Sequence, residues 1–350
     1  MKRDDFVFSL QELREYLQLK NLDVEDDNNF SLLIPKYYIN LINWKNKHDP
    51  LRKMVMISNL EKQVKDYELT DPIGDKKHAP VSGIVHRHKD RCLLMLTSSC
   101  AVHCRFCFRR SMLASNKVHL KQSMQYITDH SELWEVILSG GDPFMLTDSF
   151  LQTVIRRLKK IKHIKTIRFH TRVPAVYPQR ITESFLRIIR KSHPCTVAIH
   201  INHPREITEE FNQAVAKLQK TGAMLLSQTV LMRDINNNVD VLEQLFRQLV
   251  ETGVKPYYLH HLDMTTGTNH FRISVEEGKN LIQQLRNRMS GICMPEYVID
   301  IPGGYGKVPV MWFHHIAPRK YQAKDFEGRT VVYTDHYSSS YSNRKTKCHP

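Results

Sequence analysis

The chain has 350 residues, of which 41% are hydrophobic, and this is enough for one large domain with a buried core. No apolar run approaches the roughly 20 residues of a membrane-spanning helix, and no repeat of solenoid length occurs, so membrane-spanning and repeat proteins are excluded. The first residues carry acidic side chains and no small-residue cleavage site, so we expect a cytoplasmic protein without a secretory signal.

The formal net charge is +15, and the basic residues are spread along the chain. A charge of this sign suits nucleic acid, an acidic protein or an anionic cofactor, but it also occurs on surfaces without a specific partner. The only dense late run of basic residues is Arg344–Lys347. Because charge alone is weak evidence for nucleic-acid binding, we do not expect nucleic acid to be a partner.

Residues 1–80 are predicted to form an N-terminal helical extension that packs on the main domain. Leu10, Leu13 and Leu17 recur at helical spacing, which is more typical of core packing than of a binding face. Prolines interrupt the remainder of this segment, at Pro35, Pro50, Pro72 and Pro80.

Residues 81–292 are predicted to form the main domain, because short apolar runs alternate there with helix-like segments at intervals of roughly 25 to 40 residues. Such βα units build a parallel sheet, and six of them predict a barrel or partial barrel, although an open doubly wound sheet has the same periodicity. Gly222 and Gly253 lie where helix C-terminal caps are expected. The predicted strands are Cys92–Thr97, Glu135–Ser139, Thr166–His170, Thr196–Ile201, Ala223–Leu231 and Lys255–Leu262.

Polar side chains follow nearly every predicted strand. In barrels of parallel strands the chemistry lies at the C-terminal strand ends, so these side chains predict an active site there. A single histidine at such a position would more often be structural, but a polar residue at each end is harder to explain in that way. The polar strand ends are Ser99–Cys100, Ser139–Asp142, His170–Arg172, His200–His203, Gln228 and His261–Asp263.

Residues 293–337 are predicted to form a C-terminal segment in which a last strand, Tyr297–Ile301, leads into the glycine-rich run PGGYGKVP. The run contains Lys307, and spacing alone allows a phosphate clamp, a Schiff-base lysine or a surface residue. Residues 338–350 are predicted to be a mobile basic tail in which Cys348 is a free thiol.

Three of the seven cysteines, Cys100, Cys104 and Cys107, fall within eight residues in a C-x3-C-x2-C pattern. An odd number of cysteines with such a cluster indicates a metal site rather than a disulfide framework. Thiolates suit both iron–sulfur clusters and zinc. Three of them can hold a [4Fe–4S] cluster with one iron left open, whereas a structural zinc needs a fourth ligand, and the sequence does not show that His103 can supply it.

The segment SCAVHCRFCFRR, with Phe106 before the last cysteine, resembles the radical S-adenosylmethionine (SAM) superfamily, whose signature is C-x3-C-x-aromatic-C. The resemblance implies an α/β fold, a partial (β/α)6 TIM-like barrel, with SAM bound to the open iron. SGGDP at residues 139–143 is similar to the glycine motif of that superfamily, although taken alone it is only a turn. The SAM-binding residues implied by the resemblance are Gly140, Gly141, Asp142, His200 and Gln228.

Residues 80–335 also resemble the lysine 2,3-aminomutase family. PGGYGKVPV is similar to the pyridoxal-phosphate (PLP) motif of that family, which implies that Lys307 forms the aldimine with PLP. HRHKDR at 86–91 is similar to a family segment with two arginines near PLP. The roles implied by the resemblance are PLP binding by Arg87 and Arg91, substrate carboxylate binding by Arg109, and binding of the lysine ε-ammonium by Asp263 and Asp300.

The resemblance implies conversion of L-α-lysine to β-lysine by a SAM-derived 5′-deoxyadenosyl radical and a PLP aldimine. It further implies an external electron donor of the flavodoxin or ferredoxin type and a homo-oligomer. Many free-lysine enzymes of the family carry a cysteine-rich zinc segment near the C-terminus, but only Cys348 is found there in this sequence. We therefore expect no zinc site of that type.

CAVHCRFCFRR and KPYYLHHLD also resemble the bacterial enzyme that makes (R)-β-lysine for modifying elongation factor P. That resemblance implies a functional link to elongation factor P and its lysyl ligase, whereas PGGYGKVPV and DFEGRTVVY look like the free-lysine mutases. Other interpretations are a free-lysine mutase of catabolism or osmolyte synthesis, a radical SAM enzyme acting on RNA, and a non-enzymatic metal-stabilised binding module.

Overall fold

The structure is a computed structural model that describes residues 3–18, 32–111 and 119–337. The predicted basic tail at 338–350, with Cys348, therefore lies outside the described residues. Within the described ranges, no helix has the length and apolar character that crossing a membrane requires.

The N-terminal segment contains short helices and one small strand pair. The first helix begins after Ser9, whose hydroxyl accepts a hydrogen bond from the backbone N–H of Glu12 at 3.1 Å. The strand pair is antiparallel, and the sequence analysis did not predict it because two-residue strands are too short to show alternation. The elements are β1 (Phe6–Val7), α1 (Leu10–Leu17), β2 (Ile34–Pro35), α2 (Lys36–Leu41) and α3 (Pro50–Val55).

The main domain is built on one nine-stranded sheet in which the strands stand in chain order, with antiparallel strands at both edges and seven parallel strands between them. Every strand predicted for residues 92–262 is present, and its ends differ from the prediction by at most one residue. A doubly wound sheet reverses its strand order at one point, whereas these strands keep chain order throughout and the edge strands do not join, so the predicted partial barrel is confirmed. The strands are β3 (Ile84–His88), β4 (Arg91–Thr97), β5 (Glu135–Gly140), β6 (Thr166–Thr171), β7 (Cys195–His200), β8 (Met224–Leu231), β9 (Lys255–His261), β10 (Glu296–Ile301) and β11 (Gly306–Pro309).

Helices follow the parallel strands and bury one apolar face each. The helix after β6 that begins at Glu183 is capped by the hydroxyl of Thr182 and buries Phe185 and Ile189. Gly253 has a φ of +77° directly after the helix that follows β8, as predicted for a helix C-terminal cap. The helices are α4 (Leu120–Asp129), α5 (Asp148–Leu158), α6 (Val173–Val176), α7 (Glu183–Lys191), α8 (Glu209–Gln219), α9 (Val239–Glu251) and α10 (Val275–Arg288).

The C-terminal segment ends in a separate antiparallel sheet of three strands. Tyr321, Ala323, Val331 and Tyr333 alternate along two of them and are buried. This sheet is therefore packed on the main domain through one apolar face. Its strands are β12 (His314–Ala317), β13 (Lys320–Lys324) and β14 (Thr330–Thr334).

The hairpin between β10 and β11 carries the glycine-rich run. Gly303 and Gly304 have φ angles of +90° and +88°, which glycine adopts without strain. The antiparallel register places Asp300 directly opposite Lys307. The turn also lies close to the N-terminal segment, since a Cβ on Gly74 would lie 2.7 Å from the backbone nitrogen of Gly304.

Candidate active site

A cavity of about 510 Å³ lies inside the partial barrel. Each residue that the sequence analysis assigned to cofactor or substrate binding lines this cavity, including the three cysteines, the two glycines of SGGDP and Lys307. These residues come from segments far apart in the chain, and the parallel strands bring them together because their C-terminal ends share one edge of the barrel.

The cysteine loop follows β4 and is held by a buried arginine. Nη1 of Arg172 lies 2.7 Å from Sγ of Cys104, and Nη2 of the same arginine donates to Glu206 at 2.8 Å. Burial raises the pKa of the Cys107 thiol to about 11, and it raises the pKa of Cys100 well above its usual value. These two thiols are therefore protonated in the absence of a metal, and a bound metal would displace their protons.

A single zinc ion would require the three cysteine sulfurs to lie close together. Thiolates bound to one zinc at about 2.3 Å each lie within about 4 Å of one another. Among the residues that the structure describes, ligand atoms come within 4.8 Å of one another in a group of three only at His86, His130 and Glu132. The three cysteine sulfurs do not form such a group, so they are not gathered as closely as one small ion would need.

The SGGDP turn lies against the loop that follows β4. A Cβ on Gly140 would lie 2.6 Å from the carbonyl oxygen of Thr97, and a Cβ on Gly141 would lie 2.2 Å from that of Ser99. Only glycine fits at these two positions, because both contacts are with backbone. The two glycines therefore let the turn pack directly against the backbone of the loop that leads to the cysteines.

The carboxylate of Asp142 is occupied by hydrogen bonds within the protein. Its Oδ1 accepts from the hydroxyl of Thr171 at 2.8 Å and from the N–H of Phe144 at 2.9 Å, and its Oδ2 accepts from the N–H of Arg172 at 2.7 Å. The side chain therefore ties the end of β5 to the end of β6. Its backbone is occupied as well, since its N–H donates to the carbonyl oxygen of Ser99 at 2.8 Å and its carbonyl oxygen accepts from the N–H of Met145 at 3.0 Å.

Two histidines of the cavity wall, His170 and His200, each have a buried ring nitrogen without a hydrogen-bond partner. The Nε2 atoms of His170 and His200 are buried without a hydrogen-bond partner, and both residues line the cavity. Burial lowers the pKa of His200 to about 3 and that of His170 well below its usual value, so both rings are neutral at physiological pH. An unsatisfied buried nitrogen is costly, and a polar ligand in the cavity would satisfy it.

Lys307 lies on the edge strand β11, in an ion pair with Asp300 of β10. Its Nζ is 2.8 Å from Oδ2 and 2.9 Å from Oδ1 of that carboxylate, and Nδ1 of His260 lies 3.7 Å from Oδ2. Burial alone would raise the pKa of Asp300, but the Lys307 ammonium and His260 lower it well below its usual value. For the nearby Asp263, burial and then the negative charge of Asp300 raise the pKa from 3.8 to about 7.

A buried carboxylate outside the predicted set, Asp75, holds two of the predicted arginines. Its Oδ1 is 3.1 Å from Nη2 of Arg87 and its Oδ2 is 2.9 Å from Nε of Arg109, while Nη1 of Arg109 also donates to Ser139 at 3.3 Å. Arg91 differs, since it lies half-exposed at the start of β4 and pairs with the exposed Asp90 at 2.8 Å. With Lys307 these arginines make a cationic wall that suits a phosphate or a carboxylate.

Asp75→Asn is expected to lower the free energy of unfolding by about 3 kcal/mol, because it leaves two buried guanidinium groups without their shared anion. The measurement is urea unfolding followed by circular dichroism. Asp90→Asn is the matched control, and it is expected to cost less than about 1 kcal/mol because its ion pair is exposed. Equal losses in both variants would contradict the importance of the buried bridge.

Sequence reasoning missed Asp75 and His260 as site residues. Asp75 lies in an irregular stretch with no strand end to mark it, and only its neighbours show that it is buried. His260 stands beside His261, and the alternation along β9 separates them: His260 lines the cavity, whereas His261 bonds to the hydroxyl of Tyr297 at 2.7 Å on the other face. Strand alternation counted back from Asp263 would have pointed to His261 instead, because Asp263 lies beyond the end of β9 and is out of phase with it.

Comparison with known proteins identifies the family. A family model described as Lysine-2,3-aminomutase matches residues 282–348, and one described as 4Fe-4S single cluster domain matches residues 89–183. The L-lysine 2,3-aminomutase of Acetoanaerobium sticklandii is 36% identical over 345 residues, which is 95% of this chain and 83% of that protein. The L-lysine 2,3-aminomutase of Escherichia coli is 36% identical over 325 residues, covering 88% of this chain and 95% of that protein.

The L-lysine 2,3-aminomutase of Methanococcus maripaludis is 39% identical over 288 residues, or 81% of this chain. The match spans 66% of the length of that relative. Relatives of this similarity, aligned over most of both chains, share the fold and the reaction class, so the interpretation as a non-enzymatic binding module is wrong. The chain belongs to the lysine 2,3-aminomutase family of radical SAM enzymes and is an isomerase of the aminomutase type.

Proposed function

We propose that this enzyme converts L-lysine to β-lysine by moving the amino nitrogen from Cα to Cβ. The observation that carries the proposal is that one cavity holds a buried cysteine triad together with a lysine, two carboxylates and a cationic wall. A radical source, an amine-binding cofactor and a diamine substrate need these groups within reach of one another.

The cofactors are a [4Fe–4S] cluster, SAM and PLP. The cluster is assigned to Cys100, Cys104 and Cys107, SAM to the backbone of the SGGDP turn with His200 and Gln228, and PLP to Lys307 with Arg87 and Arg91. When bound, the cluster and SAM supply hydrogen-atom abstraction from an unactivated C–H bond, and PLP supplies a carbon centre that carries the migrating nitrogen and spreads the unpaired electron. An external electron donor is needed to start this chemistry.

The substrate is proposed to lie between Arg109 and the aspartates Asp263 and Asp300. Arg109 would pair with its carboxylate through the planar guanidinium, and Asp75 fixes the direction of that guanidinium. The two aspartates would bind the ε-ammonium, which sets the length and the charge of an acceptable side chain. Lys307 must leave Asp300 when it engages the cofactor, and this frees the Asp300 carboxylate for the substrate ammonium.

The Michaelis constant for lysine is expected to fall as the pH rises through 7. The pKa of Asp263 is about 7, so below that pH the residue is protonated and offers no charge to the ε-ammonium. The check is a steady-state pH profile, in which the constant changes by up to about tenfold per pH unit below the pKa. The Asp263→Asn variant should have a high Michaelis constant without this pH dependence, and an Asn variant that kept the wild-type profile would contradict the assignment.

The protonation of Asp263 that weakens substrate binding stabilises the folded chain. The pKa of Asp263 is higher in the folded than in the unfolded chain, so the folded state holds the proton more tightly between about pH 4 and about pH 7. Its contribution to the free energy of unfolding is therefore greatest at the acidic end and is lost as the pH rises through 7. Substrate binding is therefore tight above the pKa of Asp263, whereas the contribution of Asp263 to stability is present below it.

The test of the proposed reaction is product analysis on free L-lysine. Reconstituted enzyme is incubated without oxygen with L-lysine, SAM, PLP and dithionite, and the products are separated by chromatography. We expect β-lysine and no loss of total amine. Absence of β-lysine, with cluster and PLP both bound, would contradict the proposal, and a preparation that binds no PLP would favour the alternative of an enzyme acting on RNA.

We further propose that the product is (R)-β-lysine and that it serves the modification of elongation factor P through a lysyl ligase. The support is the resemblance of CAVHCRFCFRR and KPYYLHHLD to the enzyme of that pathway. Chiral chromatography of the product tests the stereochemistry. The (S) enantiomer would favour the free-lysine role in catabolism or osmolyte synthesis instead.

A further inference from the structure

A second cluster of ligand-type side chains lies outside the cavity, at the edge of the sheet. One ring nitrogen each of His86 and His130 and a carboxylate oxygen of Glu132 all lie within 4.8 Å of one another. His86 belongs to β3, and the other two follow α4 on the way to β5. Val85 and Arg87, the neighbours of His86, line the cavity, so strand alternation turns His86 to the other face, toward α4.

Both imidazoles are fixed by hydrogen bonds of their Nδ1 atoms to one residue. Nδ1 of His130 lies 2.7 Å from the carbonyl oxygen of Tyr126, and Nδ1 of His86 lies 2.8 Å from the hydroxyl of the same tyrosine. A carbonyl oxygen can only accept, so His130 carries its proton on Nδ1 and has a free lone pair on Nε2. Stacking of the His130 ring on Tyr126, at 3.7 Å between centroids, fixes the plane of that ring.

For His130 this arrangement is the one that metal-binding histidines require, and His86 meets the same requirement when its Nδ1 donates to the hydroxyl of Tyr126. A ligating histidine normally donates its second N–H to a carbonyl or a comparable acceptor, which sets the tautomer and aims the other nitrogen at the ion. Two imidazoles and one carboxylate are a ligand set for a borderline divalent ion such as Zn²⁺, with water in the remaining position. The cysteine triad offers neither imidazole nor carboxylate, so the two centres differ in ligand chemistry as well as in place.

The geometry points to a divalent metal site at His86, His130 and Glu132, of which Zn²⁺ is the fitting occupant. The ion would join the edge strand β3 to the connection between α4 and β5. Because β3 also carries Arg87, the ion would fix the strand that holds one wall of the cavity, and it would stabilise the folded chain by mass action.

Zinc binding to the enzyme with its cluster in place tests this inference. Protein is equilibrated without oxygen with Zn²⁺, freed of excess metal and assayed for zinc, and the zinc X-ray absorption edge reports the ligand atoms. We expect zinc bound through nitrogen and oxygen with a rise in melting temperature. Zinc binding and the rise in melting temperature should both disappear in His130→Ala. In Glu132→Gln the affinity for zinc should fall at least about tenfold. The side chain of Glu132 is exposed, so this second variant is expected to fold normally.

His119→Ala is the matched control, because His119 is an exposed histidine at the start of the same helix α4 and lies outside the cluster. It should bind zinc as the wild type does. Zinc that remains on His130→Ala, zinc ligated by sulfur, or a wild-type enzyme that binds no zinc would overturn the inference. None of these readouts depends on aminomutase activity, so a failure here is distinguishable from a failure of the proposed reaction.

Discussion

Replacement of Lys307 by alanine is expected to remove PLP from the enzyme and to lower aminomutase activity by at least about 10³-fold, while the iron content stays unchanged. The lysine Nζ lies 2.8 Å from Asp300 and belongs to β11, whereas the cluster ligands follow β4, so its loss does not remove a cluster ligand. The measurements are the visible absorbance of bound PLP after gel filtration, iron and sulfide per chain, and β-lysine formed per minute.

Lys320→Ala is the control for this variant, because Lys320 is an exposed lysine of the same C-terminal segment and should keep PLP and activity. Borohydride reduction of the wild type should attach the cofactor covalently to the peptide that contains Lys307. A Lys307→Ala enzyme that still holds PLP in a reducible linkage would show that another lysine forms it.

Replacement of Cys104 by alanine is expected to abolish both the cluster and the activity. Two remaining thiolates cannot hold a cubane with one open iron, and Nη1 of Arg172 loses the sulfur that it contacts at 2.7 Å. Iron and sulfide should fall from the wild-type level to background, and the activity should fall below detection. Cys104→Ser keeps the size of the side chain, and it should fail in the same way if ligation rather than packing is the cause.

Cys293→Ala is the control for the cysteine prediction. Cys293 is also buried, but it does not line the cavity, so its removal costs packing without removing a ligand. The control variant should keep iron, sulfide and activity at a somewhat lower melting temperature. Retention of a full cluster and activity in Cys104→Ser would mean that the triad is not the ligand set.

The strands of the main domain could be predicted because their signal is local. Each buried parallel strand is a short apolar run between turn residues, and β5 and β7 differ from prediction by one residue at their ends. The edge strand β3 could not be found in this way, because HRHKDR is polar and reads as a loop. The segment forms a strand because it pairs with β4, and its own sequence does not show this.

The site residues likewise divide into those that a local sequence motif predicts and those that only long-range contacts reveal. Cys100, Cys104, Cys107 and Lys307 stand in short motifs whose spacing carries the chemistry, and the structure gathers them at one cavity. Asp75 has no motif, and its importance follows from contacts across 12 and 34 residues of chain, with Arg87 and Arg109. The ion pair of Lys307 with Asp300 is an intermediate case. The motif alone does not predict it, but the register of the β10–β11 hairpin does.

The contact between Gly74 and Gly304 sets an order in which the enzyme can mature. The cysteine loop is held by contacts such as that of Cys104 with Arg172, 68 residues further along the chain, whereas the lysine wall needs residues near 75 and near 304 to meet. A chain emerging from the ribosome would complete the cysteine loop long before the lysine wall. Iron and sulfide can therefore be loaded first, and PLP finds its place only when the two distant parts of the chain have closed on each other.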